Sequence, residues 1–186
     1  MSGSGERRRF VSRSVELVHD WTYSRLVTRA VVSPDGEVFH RTYVDSPGAV
    51  AVVALTDDDR VVLVDQYRAT IDDYLVEIPA GMRDKSGEAD LETAKRELEE
   101  ETGYRASDWE PLGRMLSTPG VSSGWVELYL ARGLRHVGST PEGPEELSMG
   151  VLLVPFDEAV RMCMESEITD SKSVVGLLRA ARHLGR

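Results

Sequence analysis

The stretch that decides the fold runs from Gly81 to Tyr104 and reads GMRDKSGEADLETAKRELEEETGY. Within it, Leu91, Ala94 and Leu98 recur at helical spacing among charged residues, and Gly103 is a typical stop signal. The stretch therefore predicts a glycine-containing loop followed by an amphipathic helix over residues 91–102, whose apolar face packs against the rest of the domain.

Three glutamates of this predicted helix are expected to lie together. Glu97 and Glu101 are one turn apart on the same side, and Glu100 lies beside them. Like charges at this spacing repel, and hard divalent cations such as Mg²⁺ take oxygen ligands of this kind. The spacing alone leaves two interpretations open: a metal site, or a solvated helix face whose charge Lys95 and Arg96 partly balance.

The full pattern resembles the Nudix box, which runs G, five residues, E, seven residues and then R-E-U-x-E-E-x-G-U, where U is a bulky apolar residue. In this chain Glu88 is followed, after seven residues, by RELEEETGY from Arg96 to Tyr104, and Gly81 precedes Glu88 with six residues between them. The chain is identified by this resemblance as a member of the Nudix hydrolase family. The one additional residue is expected to be accommodated in a surface loop, where an insertion costs little.

The resemblance implies a role for each residue of the box. It implies a site for Mg²⁺ or Mn²⁺, whose ligands are the backbone carbonyl of Ala80 and the carboxylates of Glu97, Glu100 and Glu101. Arg96 would orient the glutamates by ion pairing, and Glu88 would hold the loop against the helix. Gly81 and Gly103 are the structural glycines of the box.

Landmarks outside the box resemble the ADP-ribose pyrophosphatase branch of the family. These are Pro34–Gly36, Pro47–Val53, Asp65–Arg68, Glu77–Gly81, Ser117–Gly120 and Leu128–Ala131. The branch implies hydrolysis of ADP-ribose to AMP and ribose 5-phosphate, or of a related nucleoside diphosphate sugar. It also implies a homodimer that exchanges an N-terminal sheet, with each active site built from both subunits.

The same branch implies substrate-binding roles for three residues. Arg68 would contact the phosphates or the terminal ribose, Glu77 would lie in the substrate groove, and Gly120 belongs to the loop beside the substrate. For Arg68 the alternative is an ordinary surface arginine at a strand end.

The general base departs from the branch's pattern. Related ADP-ribose hydrolases carry a glutamate four residues after the glycine of the S-P-G motif, and that position is Gly124 here. Glu127 is the nearest substitute, with an outward-facing strand glutamate as the alternative. Further candidates are Glu142, Glu145 and Glu146, in a loop rich in glycine and proline. Glutamates of the box, Glu100 in particular, also remain candidates, so we expect an active enzyme.

Periodicity along the chain predicts strands before, between and after the acidic helix, and two helices at the end. The expected strands are Val15–Val18, Arg25–Val32, Glu37–Val44, Ala49–Leu55, Val61–Val64, Tyr74–Ile78, Leu112–Leu116, Trp125–Ala131 and Ser148–Val154. The closing helices are expected from about Pro155 to Glu165 and from Ser171 to Leu184, with Asp170 as a cap.

This order of elements, with the family resemblance, predicts an α/β (α+β) fold. It is a Nudix αβα sandwich with a mixed sheet, preceded by a small N-terminal antiparallel sheet. The expected divisions are a disordered tail at residues 1–11, an N-terminal sheet subdomain at 12–46 and the Nudix domain at 47–186. Ala49–Leu55 and Val61–Val64 are expected to form a buried hairpin.

Composition narrows the possible partners. The 22 Lys and Arg residues against 32 Asp and Glu residues give a net charge of −10, which disfavours broad contact with nucleic-acid phosphates. The longest apolar run is far shorter than the roughly 20 residues of a membrane span, and a cytoplasmic protein is expected. The single cysteine, Cys163, excludes an internal disulfide and is expected to pack as a small apolar residue.

Three other functions remain as alternatives to the ADP-ribose pyrophosphatase. One is a hydrolase of nucleoside triphosphates or oxidised nucleotides, against which the chain-wide landmarks argue. Another is a nucleotide-binding Nudix domain without hydrolysis, which Gly124 favours and the intact box opposes. The last is a structural protein with an acidic helix, which would make the whole pattern a coincidence.

Overall fold

The computed structural model describes residues 8–139 and 147–186. These residues form two compact units. The first contains the chain up to Pro47 together with Thr118–Gly124, and the second contains Gly48–Ser117 and Trp125–Arg186. None of the helices in the described ranges is long and apolar enough to cross a membrane.

The first unit is built on a three-stranded antiparallel sheet in the order β1-β2-β3. Its strands are β1 (Val11–Asp20), β2 (Arg25–Val32) and β3 (Val38–Asp45). The turn predicted between β2 and β3 is present, because the N–H of Gly36 donates to the carbonyl of Ser33 at 3.0 Å. Of the tail predicted at residues 1–11, residues 1–7 lie outside the described chain, and β1 already begins at Val11.

The loop Thr118–Gly124 belongs to this unit, although it follows β3 by more than 70 residues in the chain. The N–H of Val44 donates to the carbonyl of Val121 at 2.9 Å, and the N–H of Ser123 donates to the carbonyl of Val44 at 2.9 Å. These two backbone hydrogen bonds attach the loop to the end of β3.

The second unit contains a seven-stranded mixed sheet, in which β10-β5-β4-β9-β8 is the main order. Its strands are β4 (Ala49–Leu55), β5 (Arg60–Arg68), β6 (Asp73–Glu77), β7 (Ala80–Met82), β8 (Tyr104–Met115), β9 (Val126–His136) and β10 (Gly150–Pro155). Its helices are α1 (Asp90–Thr102), α2 (Phe156–Met164) and α3 (Ser171–His183).

Strand β4 lies between two hydrophobic layers, which explains its unbroken apolar sequence. Val50 and Val52 pack in one cluster with Ala94 and Leu98 of α1. Val53 and its neighbours on the other face pack with α2 and α3. The structure therefore confirms the predicted arrangement, with helices on both faces of a mixed sheet preceded by a small antiparallel sheet.

Two sequence predictions need correction. The expected hairpin of β4 and β5 is paired only at Ala54–Val62 and Leu55–Val61. Strand β4 also pairs antiparallel with β7 at Ala49–Ala51 and parallel with β9 over Ala49–Ala54. The sequence did not predict these partners, because a fully apolar strand carries no signal for its partner. Strand β8 begins at Tyr104 rather than Leu112, and a bulge between Pro111 and Gly113 interrupts its register.

Candidate active site

The acidic helix α1 is placed by its apolar side and closed by its final glycine. Ala94 and Leu98 are fully buried against the sheet. Gly103 has a φ of 71°, and its N–H donates to the carbonyl of Glu99. A Cβ at Gly103 would lie 2.8 Å from the backbone of Gly138, so both the turn and the close approach require glycine.

Strand β7 touches two of the helix glutamates directly. The N–H of Ala80 donates to Oε2 of Glu101 at 2.9 Å. A Cβ at Gly81 would lie 1.9 Å from Cδ of Glu97, so the Glu97 carboxylate lies against the bare backbone of this glycine. Strand β7 thus brings Ala80 and Gly81 to the turns of α1 that carry the predicted metal ligands.

Arg96 lies at the centre of the acidic groups. Its Nη1 is 2.7 Å from Oε1 of Glu97 and 2.7 Å from Oε2 of Glu100. Its Nη2 is 3.1 Å from Asp84 and 3.2 Å from Glu88. We call Arg96 and these four acids, with Glu101, the carboxylate cluster.

Glu88 is held from two directions. It accepts a hydrogen bond from Oγ1 of Thr93 at 2.8 Å in addition to the one from Arg96. Burial alone would raise the pKa of Glu88, but these hydrogen bonds outweigh it and hold the pKa below its usual value. Glu88 and Asp84 both come from the loop, so their bonds to Arg96 tie the loop to α1.

The charge balance of the cluster is unequal. Burial raises the pKa of Glu97 to about 7, because the nearby charge of Arg96 only partly offsets the loss of solvent and Glu100 adds repulsion. Burial acts in the opposite direction on Arg96, but hydrogen bonds to Glu88 and Glu100 raise its pKa above the usual value. Several carboxylates thus share one guanidinium, and its charge does not fully compensate for the burial of Glu97, so the pKa of Glu97 remains raised.

The donor set suits a hard divalent cation, although the side chains are not arranged around one. Within residues 8–139 and 147–186, no three Asp, Glu, His or Cys side chains converge closely enough to hold a metal ion. Glu97 and Glu100 are both directed to Arg96, and Glu101 accepts from Ala80. The side chains available as ligands are all carboxylates, and their oxygens fit Mg²⁺ or Mn²⁺.

Arg68 and Glu77 form a bidentate ion pair. The Arg68 Nε is 2.7 Å from Oε1 and its Nη2 is 2.6 Å from Oε2 of Glu77. Glu77 is only 1% exposed and also bonds to Lys172 of α3. Its carboxylate therefore faces protein cations. Arg68 is partly exposed, and its hydrogen bond to Glu77 raises the pKa of its guanidinium, with a smaller contribution from the charge of Glu101.

Glu127, the expected substitute for the base, pairs with an arginine outside the carboxylate cluster. Its Oε2 accepts from Nε of Arg114 at 2.9 Å, and Nη2 of Arg114 is 4.0 Å from Asp90. Asp90 begins α1 and precedes Glu97 by seven residues, or about 10 Å of helix. Arg114 therefore links Glu127 to the first turn of α1. The position of Glu127 on β9 fixes the direction of its side chain.

The loop that carries Gly120 and Gly124 lines a pocket of about 410 Å³ within the first unit. A Cβ at Gly124 would lie 3.1 Å from Cβ of Ser46, and at Gly120 it would meet nothing within 4 Å. The remaining candidates for the base, Glu142, Glu145 and Glu146, lie outside the described residues.

Two arginines in this pocket were not predicted from the sequence. Arg29 on β2 and Arg41 on β3 are direct cross-strand partners, and like charges in such pairs repel. The Nε atom of Arg29 is buried without a hydrogen-bond partner among the described residues. We call this site the arginine pocket. Predicting it would have required the register of β2 on β3, which brings Arg29 opposite Arg41 and which could not be read from the sequence.

Comparison with known proteins agrees with the sequence pattern. The NUDIX domain family matches residues 45–174. An ADP-ribose pyrophosphatase of Mycobacterium tuberculosis is 39% identical over 169 residues, which cover 91% of this chain and 82% of the relative. A methanol dehydrogenase activator of Bacillus methanolicus is 39% identical over 144 residues, 77% of each chain.

A solved structure shares the fold. It is described as an ADP compounds hydrolase, has a TM-score of 0.81 and 22% sequence identity, and covers 98% of this chain and 97% of its own. The family match extends over most of the chain and includes the whole of the carboxylate cluster. The family predicted from the box is thereby confirmed, and this chain belongs to the NUDIX family.

Proposed function

We propose that this protein hydrolyses ADP-ribose, or a closely related nucleoside diphosphate sugar, with Mg²⁺ or Mn²⁺ as the cofactor. As a NUDIX hydrolase it acts on pyrophosphate bonds, and ADP-ribose would yield AMP and ribose 5-phosphate. The observation that carries the proposal is the carboxylate cluster, in which Arg96 and the bare backbone of Gly81 hold Glu97 beside Glu100.

The metal site would use the oxygens that α1 and β7 bring together. Its proposed ligands are the carboxylates of Glu97, Glu100 and Glu101 and the backbone carbonyl of Ala80. When bound, the metal neutralises the diphosphate and lowers the pKa of an attacking water. Arg96 would keep the carboxylates oriented, and Glu88 would keep the loop in contact with Arg96.

For the general base we favour Glu100 over Glu127. Both carboxylates pair with an arginine, but the partner of Glu127 is Arg114, outside the cluster, whereas the partner of Glu100 is Arg96, beside the proposed metal ligands. Glu100 is also more exposed than Glu97, which leaves it better placed to receive a proton from solvent-derived water.

Cationic side chains would bind the phosphates of the substrate. Two of the five N–H groups of Arg68 donate to Glu77, and among the described residues the other three have no hydrogen-bond acceptor, so they can donate to phosphate oxygens. Glu77 is too deeply buried for direct contact and would act by holding Arg68. Independently of Arg68, the arginine pocket, which lies within the first unit, would bind an anionic group beside Gly120.

We also propose a homodimer formed through the N-terminal sheet. Strand β1 exposes several large apolar side chains, among them Val15, Leu17 and Val18, each more than half exposed. Exposed apolar strands of this length are typical of interfaces. We also predict that the enzyme is cytoplasmic and binds neither nucleic acid nor a membrane. The net charge of −10 supports the part of this prediction that concerns nucleic acid.

The decisive experiment is product analysis with the purified protein and Mg²⁺. The panel contains ADP-ribose, other nucleotide sugars, dinucleotides and nucleoside triphosphates. We expect AMP and ribose 5-phosphate from ADP-ribose, and no product when EDTA replaces the metal. Cleavage of triphosphates alone would support the triphosphate hydrolase and refute the proposal.

A binding domain without hydrolysis is the second candidate, because Gly124 leaves the usual position of the base without a side chain. Metal-dependent thermal stabilisation by one nucleotide, with no turnover of any compound in the panel, would favour it.

Light scattering coupled to size-exclusion chromatography tests the proposed dimer. A monomer at micromolar concentration would refute the proposal of a homodimer.

A further inference from the structure

Lys172, in the first turn of α3, contacts the interior end of the Arg68 ion pair. Its Nζ bonds to Oε2 of Glu77 and lies 3.1 Å from Oδ2 of Asp170. No feature of the Nudix box or of the other landmarks includes Lys172 or Asp170. The bond to Glu77 joins residues 95 positions apart in the chain.

The contacts form a chain that runs from the interior to the surface. The side chain of Glu77 is 2% exposed, that of Lys172 13% and that of Arg68 36%. Of the three side chains Arg68, Glu77 and Lys172, only Arg68 offers substantial surface to a ligand. We call the contacts of Arg68, Glu77, Lys172 and Asp170 the arginine support.

The charges of the arginine support balance one another. Burial alone would raise the pKa of Glu77, but hydrogen bonds and charge from Arg68 and Lys172 outweigh it and lower the pKa. Two cations thus keep one buried carboxylate ionised. Without Lys172, Glu77 would keep only Arg68 as a cationic partner, and a buried charge with fewer partners is costly.

The helix that carries Lys172 is itself fixed to the same strand end. The Asp170 side chain accepts from the N–H of Ser173 at 2.9 Å and so caps α3. The N–H of Ile78, the residue after Glu77, donates to Oγ of Ser173 at 2.8 Å. The start of α3 therefore fixes both the backbone and the carboxylate at the end of β6.

We propose that Lys172 is a positioning residue for substrate binding: it fixes Glu77, and Glu77 fixes the guanidinium of Arg68 that receives a phosphate of the substrate. The inference rests on the proposed function, because it assigns Arg68 to the diphosphate. Lys172 acts without touching the substrate, so it sets the geometry of Arg68 and not the chemistry of the reacting atoms.

The test compares Lys172→Met with the wild type and with Lys95→Met. Lys95 is an exposed lysine on α1 that pairs with Glu92 and lies outside the arginine support. We expect the KM of Lys172→Met to rise about tenfold, as when one charge-assisted hydrogen bond to phosphate is weakened. Its kcat should change less than about twofold, and Lys95→Met should match the wild type.

Two further variants separate positioning from a general structural role. Lys172→Arg keeps the charge and should restore KM to within about threefold of the wild type. In an Arg68→Ala background, Lys172→Met should add no further loss, because the residue through which it acts is gone. Independent losses in this double variant would overturn the proposal, as would an unchanged KM in Lys172→Met.

The remaining controls keep the outcome clear. If Lys172→Met does not fold, Lys172→Gln replaces it, since an amide can donate to Glu77 without the charge. Calorimetric binding of the α,β-methylene analogue of ADP-ribose gives a readout without turnover. If the wild type binds the analogue but hydrolyses nothing, the proposed function is refuted. The role of Lys172 is then tested by comparing the affinities of the wild type and Lys172→Met for the analogue. A wild type that binds no analogue overturns both proposals.

Discussion

Replacing Gly81 by alanine tests whether the carboxylate cluster depends on the close approach of β7 and α1. An added Cβ would lie 1.9 Å from Cδ and 2.1 Å from Oε2 of Glu97. Carbon atoms in ordinary contact are about 3.5 Å apart, so the carboxylate must retreat by about 1.5 Å. Gly81 does not have a left-handed backbone, so the substitution acts through this contact and not through backbone strain.

The expected loss follows from that displacement. Misplacing a catalytic group by about 1 Å can cost about 10²-fold in rate, which corresponds to about 2.7 kcal/mol. We therefore expect kcat/KM of Gly81→Ala to fall about 100-fold in ADP-ribose hydrolysis. The Mg²⁺ concentration for half-maximal activity should rise as well, because Glu97 is a proposed ligand.

Gly150→Ala is the matched control for this experiment. A Cβ at Gly150, on β10, would meet Cβ of Asp65 at 3.6 Å, an ordinary contact. It should retain the activity and metal dependence of the wild type, and circular dichroism should show both variants folded. If Gly81→Ala is folded and keeps activity within about threefold of the wild type, the argument from the Gly81–Glu97 contact is refuted.

Three further predictions concern single side chains. Glu101→Gln should lower kcat by at least about 100-fold in a folded protein, because it removes a proposed metal ligand. Glu127→Gln should keep kcat within about threefold of the wild type, because Arg114 already holds that carboxylate. Steady-state kinetics measures both, and a larger loss for Glu127→Gln than for Glu101→Gln would contradict the proposed site. Because the pKa of Glu97 is about 7 and a metal must displace its proton, apparent Mg²⁺ affinity should fall about tenfold per unit below pH 7; a titration that is flat between pH 6 and pH 8 would refute this. The pKa of the buried Cys163 thiol is about 11, so at pH 8 a thiol reagent should label native protein at least about 100-fold more slowly than unfolded protein.

Local features were predictable from the sequence because their signals are local. The helix expected at residues 91–102 is observed as Asp90–Thr102, and the expected cap Asp170 accepts from the N–H of Ser173. Cys163 lies in the hydrophobic core, as predicted. The helix and its cap were predicted from spacing and capping within a few residues, which the backbone geometry of a helix translates directly into structure. The burial of Cys163 was predicted from its being the single cysteine.

Features that depend on distant partners were not predictable in the same way. The Arg29–Arg41 pair requires the register of β2 on β3, and the bond between Lys172 and Glu77 requires α3 to reach the end of β6. Glu127 was a reasonable base from its place in the chain alone. Its partner Arg114 comes from the neighbouring strand, and only the pairing of β8 with β9 shows that the carboxylate is already engaged.

The extra residue between Gly81 and Glu88 shows why the box tolerates a change in length there. Both ends of the loop keep their contacts, since Gly81 lies against Glu97 and Glu88 reaches Arg96. Between them the chain turns at Gly87, whose φ is +81° and whose missing Cβ would meet nothing within 4 Å. An insertion into open space at this turn leaves both anchors in register, whereas one inserted between Glu97 and Glu101 would rotate these two side chains apart by about 100°.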